Sequence, residues 1–164
     1  MSDILNQEKK VSPKDVFLHL LAIATLYTSA ITFLMLVFEY INVWIPDTLA
    51  NGGYYSLQSS YDSIRWSIAC LVVVFPVYVL TSWFLGKGYT AEPSKRNLRI
   101  RKWLIYFTLF VTALIIIGDL VALIYNLLGG EFTLRFILKV LSVFFVAGSI
   151  FGYYFYDVKR HATE

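Results

Sequence analysis

Read outward from Thr25 by steps of three and four, the chain sets Thr25, Thr28, Thr32, Met35, Glu39 and Asn42 on one stripe of a helix. Threonine hydroxyls leading to a carboxylate are groups that replace part of a cation's hydration and hold it by charge. The run over residues 16–41 is apolar enough to be expected in lipid, where a polar seam needs a protein or water-lined surface to face. A plainer reading exists for the same residues. Threonines in membrane helices return hydrogen bonds to their own backbone, and a carboxylate near a span end can snorkel to headgroups or pair with Arg65.

A second set of charges lies in later apolar runs. Asp119 is about one helical turn outward of the midpoint of its run, and Lys139 about a turn and a half outward of the midpoint of the next. Matching depth on helices joined by a tight reversal predicts an ion pair that fixes helix register, since a lone charge there costs at least about 2.5–3.5 kcal/mol. Glu39, Arg65, Glu131 and Arg135 are expected to form a second charged layer nearer the outer surface. Gly148 and Gly152 make a small-xxx-small pair on which another helix can approach closely.

Catalytic chemistry finds little to work with. His19 and His161 are the only histidines, and neither has a metal-ligand neighbour in sequence. Gly118-Asp119 matches half of an intramembrane aspartyl protease motif, but residue 116 is isoleucine and no second intramembrane aspartate stands with it, so acid–base work lacks its second group. The single cysteine, Cys70, lies inside an apolar run and offers neither a disulfide nor a metal cage. No cofactor is expected.

What must position these groups is a set of membrane spans. The 164 residues are 58% hydrophobic and 15% charged, with mean hydropathy +0.64, more apolar area than a soluble domain of this size can bury. Four runs, about 16–41, 64–85, 103–128 and 132–156, are each long enough to cross a hydrocarbon core of roughly 30 Å. Ser12-Pro13-Lys14-Asp15 reads as the start of the first helix. Pro46 to Gly53 mark its end and a loop to about Ser60, Pro76 predicts a kink in the second span, and Gly86 and Gly88 close it. Tyr40, Trp44, Tyr54, Tyr55 and Tyr61 read as an outer aromatic belt, and Tyr153, Tyr154 and Tyr156 as an inner one.

Eleven of the fourteen Lys and Arg residues fall in the leader, the basic loop 86–102 and the tail; the other three are Arg65, Arg135 and Lys139. The positive-inside rule then puts both termini and the middle loop in the cytoplasm, in a multi-pass protein of a prokaryotic inner or plasma membrane. Basic residues beside apolar runs do not form a nucleic-acid surface.

The blocks SPKDVFLHLLAIATLYTSAITFLMLVFEYINVWIPD, GDLVALIYNLLGGEFTLRFILKVL and FGYYFYDVKR resemble a family of small bacterial four-span proteins catalogued as a domain of unknown function. The resemblance covers nearly the whole chain and implies a four-helix membrane fold. In layout alone the chain is similar to the Orai calcium channels, whose first helix lines a shared pore with a glutamate at its outer mouth, the place Glu39 would take.

The fold class expected is therefore all-α, an integral membrane four-helix bundle that forms homo-oligomers. The leading functional expectation is a cation channel, calcium-permeable in its preferred form, with the seam lining the pore and Glu39 as its metal site. The alternatives are a non-catalytic membrane subunit that binds a partner through Gly148 and Gly152, and a voltage-sensor-like or proton-pathway unit using Asp119, Arg135 and Lys139. The topology is tested by cysteine labelling at Asn51 and Asn97 in intact cells. An impermeant reagent should reach Asn51→Cys and spare Asn97→Cys; the reverse pattern would overturn the orientation.

Overall fold

The computed structural model describes residues 12–45, 53–91, 99–129 and 133–161, and among these every element is a helix. In order they are α1 (Pro13–Trp44), α2 (Gly53–Ala91), α3 (Arg99–Leu128) and α4 (Leu134–His161). Each is long and apolar enough to cross a membrane. At 1.5 Å per residue, the 32 residues of α1 run about 48 Å and the 39 of α2 about 58 Å. Both exceed a hydrocarbon core of about 30 Å, so helix ends reach the headgroup region.

The helices are longer than the apolar runs. The first turns of α2 occupy the stretch up to Ser60 that was expected as loop, and α2 continues through Gly86 and Gly88 to Ala91. Apolar content delimits the lipid-crossing part of a helix, whereas backbone hydrogen bonding carries the helix on into the interface. Pro76 lies inside α2 without ending it, although its missing N–H leaves the Val72 carbonyl without its helical donor. Ser12 is the N-cap residue of α1, and Pro13 opens the helix as expected, but the serine side chain makes no capping bond. Its carbonyl accepts the N–H groups of Asp15 and Val16 at 2.9 and 3.2 Å instead.

α1 is the helix on which the other three pack. It forms one antiparallel hairpin with α2, α3 and α4 form a second, and the two dock through α1 against α4, with a lighter contact to α3. Among the described residues the α2 backbone approaches α1 alone. Pro13, Ala91, Arg99 and His161 therefore share one end, called here the basic end; Trp44, Gly53, Leu128 and Leu134 share the far end.

The interior is rich in small and hydroxylated side chains: Ala22, Ser29, Thr32, Ser67, Thr81, Thr108, Thr112 and Ala147 are buried beside Ile41, Ile64, Leu104, Ile105 and Val140, while Phe75, Phe110, Phe145 and Val121 are exposed. Lipid tails are as apolar as leucine, so burial of large side chains does not draw membrane helices together; close backbone approach and polar contacts do. The Thr81, Thr108 and Thr112 hydroxyls donate to the carbonyls of Val77, Leu104 and Thr108 at 2.7–2.9 Å and so add no unpaired donor. Gly148 and Gly152 do not take the expected packing role within the chain, because a Cβ at either would meet no atom within 4 Å.

Thr108 is fully buried, so its two replacements should separate shape from hydrogen bonding. Thr108→Val keeps the shape and should change stability by about 1 kcal/mol or less, whereas Thr108→Phe overpacks and should cost about 1–3 kcal/mol in thermal unfolding of the purified protein.

Candidate functional site

Polar side chains gather at both ends of the bundle. At the far end, Asn42 donates through Nδ2 to Glu39 Oε2 at 3.2 Å, while Arg135 donates through Nε and Nη2 to Asn42 Oδ1 at 3.1 and 2.8 Å. Glu39 and Asn42 thus belong to a network that ties α1 to α4. Arg65 does not join it; its guanidinium reaches Asp62 of its own helix at 3.4 Å on an exposed face. An exposed pair of this kind contributes little. Glu131, expected in the same layer, lies outside the described residues.

The α1 seam is divided rather than continuous. Thr25 donates to the carbonyls of Leu21 and Ala22 at 2.7 and 3.1 Å, and Thr28 to that of Ala24 at 2.8 Å. Thr28 and Met35 face outward while Thr32 is buried. Helical spacing put the six residues on one stripe, but α1 is packed from several sides, so the stripe crosses from interior to surface. Among the described residues no three His, Cys, Asp or Glu gather to hold a metal, so Glu39 as a metal site would need further copies of the chain.

Asp119 and Lys139, expected as partners, are not a pair. Asp119 Oδ2 is buried with no hydrogen-bond partner, and Lys139 Nζ stands over the Phe38 ring of α1, 5.5 Å from its centroid. Phe38 competes for the ammonium through its ring face.

The basic end is richer, and sequence reasoning passed over most of it. His19 of α1 donates through Nδ1 to the Asp15 carbonyl at 2.6 Å. A carbonyl only accepts, so in the neutral imidazole Nε2 carries the lone pair, and it accepts the Tyr89 hydroxyl of α2 at 2.7 Å. On the other hairpin, Arg101 of α3 donates through Nη2 to Asp157 Oδ2 of α4 at 2.6 Å, with side chains only 15% and 24% exposed. The two pairs meet, because the Arg101 guanidinium lies over the Tyr89 ring, 5.1 Å from its centroid.

Around them is a half-open cavity of about 110 Å³. Its polar lining comes from all four helices: His19, Tyr78, Ser82, Tyr89, Arg101, Tyr153, Tyr154 and Asp157. Tyr153 and Tyr154, expected as an interfacial belt, thus also form part of its wall. One sequence signal could have located the charged pair. Arg101 and Asp157 are equally far from the Gly129-Gly130 reversal and opposite in sign, which is the mark of a level contact across a hairpin.

Four apolar helices define a membrane protein, and the cavity at their basic end lies where its two hairpins meet. The chain belongs to the family described as Domain of unknown function (DUF5671), whose profile matches residues 15–154. No curated protein and no solved structure matches it. The matched span includes every polar residue of the cavity lining except Asp157, three residues beyond its end.

The coupling across α3 and α4 is measurable. Arg101→Leu or Asp157→Leu alone should cost about 1.5–3 kcal/mol, the scale of a hydrogen bond to a charged group, and the double variant should recover much of that loss. Strictly additive losses would show that the two side chains do not interact.

Proposed function

We propose that the protein is a non-catalytic membrane protein that binds a ligand in the cavity at its basic end, where polar side chains of all four helices meet apolar ones. The observation that carries this reading is the convergence of hydrogen-bonding side chains from all four helices on one half-open space. Polar groups are expensive inside a membrane bundle and mark the places where it handles something other than lipid tails. The cavity is small. Its 110 Å³ holds several waters or one compact polar group.

Support for the pore reading is weaker. Glu39 already engages Asn42 in a network with Arg135, and the Thr25 and Thr28 hydroxyls are turned onto their own helix. A carboxylate ring that selects cations instead needs its oxygens turned to a common axis. By the distribution of Lys and Arg, the cavity faces the cytoplasmic side.

Two measurements on one preparation separate these readings. In a Cys70→Ala background, Ser82→Cys should react with a small water-soluble thiol reagent added from the cytoplasmic side, because Ser82 lines the cavity. Liposomes holding the same protein should show no cation flux that depends on Glu39. Flux abolished by Glu39→Gln, with Ser82→Cys inert to the reagent, would replace the binding site with a pore.

A further inference from the structure

The lining of the cavity points to the kind of molecule it takes. Arg101 and Asp157 supply one positive and one negative group to the same small space, 2.6 Å apart, with His19 hydrogen-bonded between Asp15 and Tyr89. A simple anion drawn to Arg101 would also meet the Asp157 carboxylate. A simple cation drawn to Asp157 would also meet the guanidinium. Each arrangement sets like charges together at short range, where the effective dielectric is low. A ligand carrying both charges a few bonds apart satisfies both groups.

The neutral part of the lining fits that demand. Tyr78, Tyr153 and Tyr154 line the same cavity as Asp157, and aromatic faces attract an ammonium group. The Ser82 and tyrosine hydroxyls can donate to phosphate oxygens, and a guanidinium is the side chain best shaped to bind them. The helix ends at this level extend past the hydrocarbon core, where headgroups lie. Lys87 over the Trp83 ring at 4.1 Å and the stacked Trp103 and Phe107, all exposed, continue that interfacial level along the surface.

We infer that the Arg101–Asp157 cavity binds a primary-amine phosphate ester, its ammonium toward Asp157 and the tyrosine rings and its phosphate toward Arg101 and the hydroxyls. This rests on the cavity being the binding site. The same chemistry exists in an ethanolamine phospholipid headgroup and in free phosphoethanolamine, and the open side of the cavity accommodates either.

The test uses the purified full chain in detergent, with thermal unfolding read against short-chain phosphatidylethanolamine, phosphatidylglycerol and phosphatidylcholine, and against free phosphoethanolamine. Phosphatidylethanolamine should raise the unfolding midpoint with an apparent affinity about tenfold tighter than either other lipid. The glycerol headgroup lacks the cation, and the choline headgroup has no N–H to donate to Asp157. A matching effect of phosphoethanolamine alone identifies a free solute; its absence beside a lipid response identifies the headgroup.

Asp157→Asn should remove the preference for the amine, and Ser82→Phe, which fills the cavity while leaving the charged pair in place, should remove the response to every probe. Equal responses to phosphatidylethanolamine and phosphatidylglycerol, both abolished by Ser82→Phe, would overturn the amine-phosphate assignment and keep the cavity as a binding site. Responses that persist unchanged in Ser82→Phe, or no response to any probe, would overturn the assignment and the site together.

Discussion

Two helical hairpins in a bilayer have no hydrophobic reason to adhere, because an apolar helix face is as well solvated by acyl chains as by another helix. What holds α1–α2 against α3–α4 must then be close packing plus polar contact, and an arginine makes that contact at each end. At the far end Arg135 of α4 grips Asn42 of α1. At the basic end Arg101 of α3 lies on the ring of Tyr89 of α2, although among the described residues the α2 and α3 backbones do not meet. Between these points buried serines, threonines and alanines alternate with Ile64, Leu104, Ile105 and Val140, and the small ones let α1 sit close among its neighbours.

The functional reading follows from how unequal the two ends are. At the far end Arg135 reaches Asn42, and Asn42 reaches Glu39. At the basic end the contacts surround a cavity lined from all four helices. Its charged pair also belongs to one hairpin and its His19–Tyr89 pair to the other. Any molecule seated there would touch both hairpins and bear directly on how they dock.

Composition and hydropathy made the membrane class and the four helices legible, because lipid imposes one simple rule on sequence. They also gave expected depths for Asp119 and Lys139, but not the contact between Arg101 and Asp157. Which residues touch was not legible. Lys139 turned to Phe38 on α1, a partner distant in sequence whose attraction hydropathy does not register. Helical spacing sets the α1 seam on one stripe, but a stripe says nothing about which side is packed, and Thr32 lies inside while Thr28 faces out. His19, Arg101 and Asp157 were passed over because each alone resembles an ordinary interfacial residue. Their meaning appears only when four helix ends meet, a property of the tertiary arrangement.

The most direct measurement is native mass spectrometry of the protein released gently from its own membrane, comparing wild type with Ser82→Phe. If the basic-end cavity is the binding site, wild type should carry one small amine-phosphate molecule or lipid per chain, and the filled variant, equally folded, should not. The same adducts in both, or none in a wild type that retains other lipids, would contradict the account.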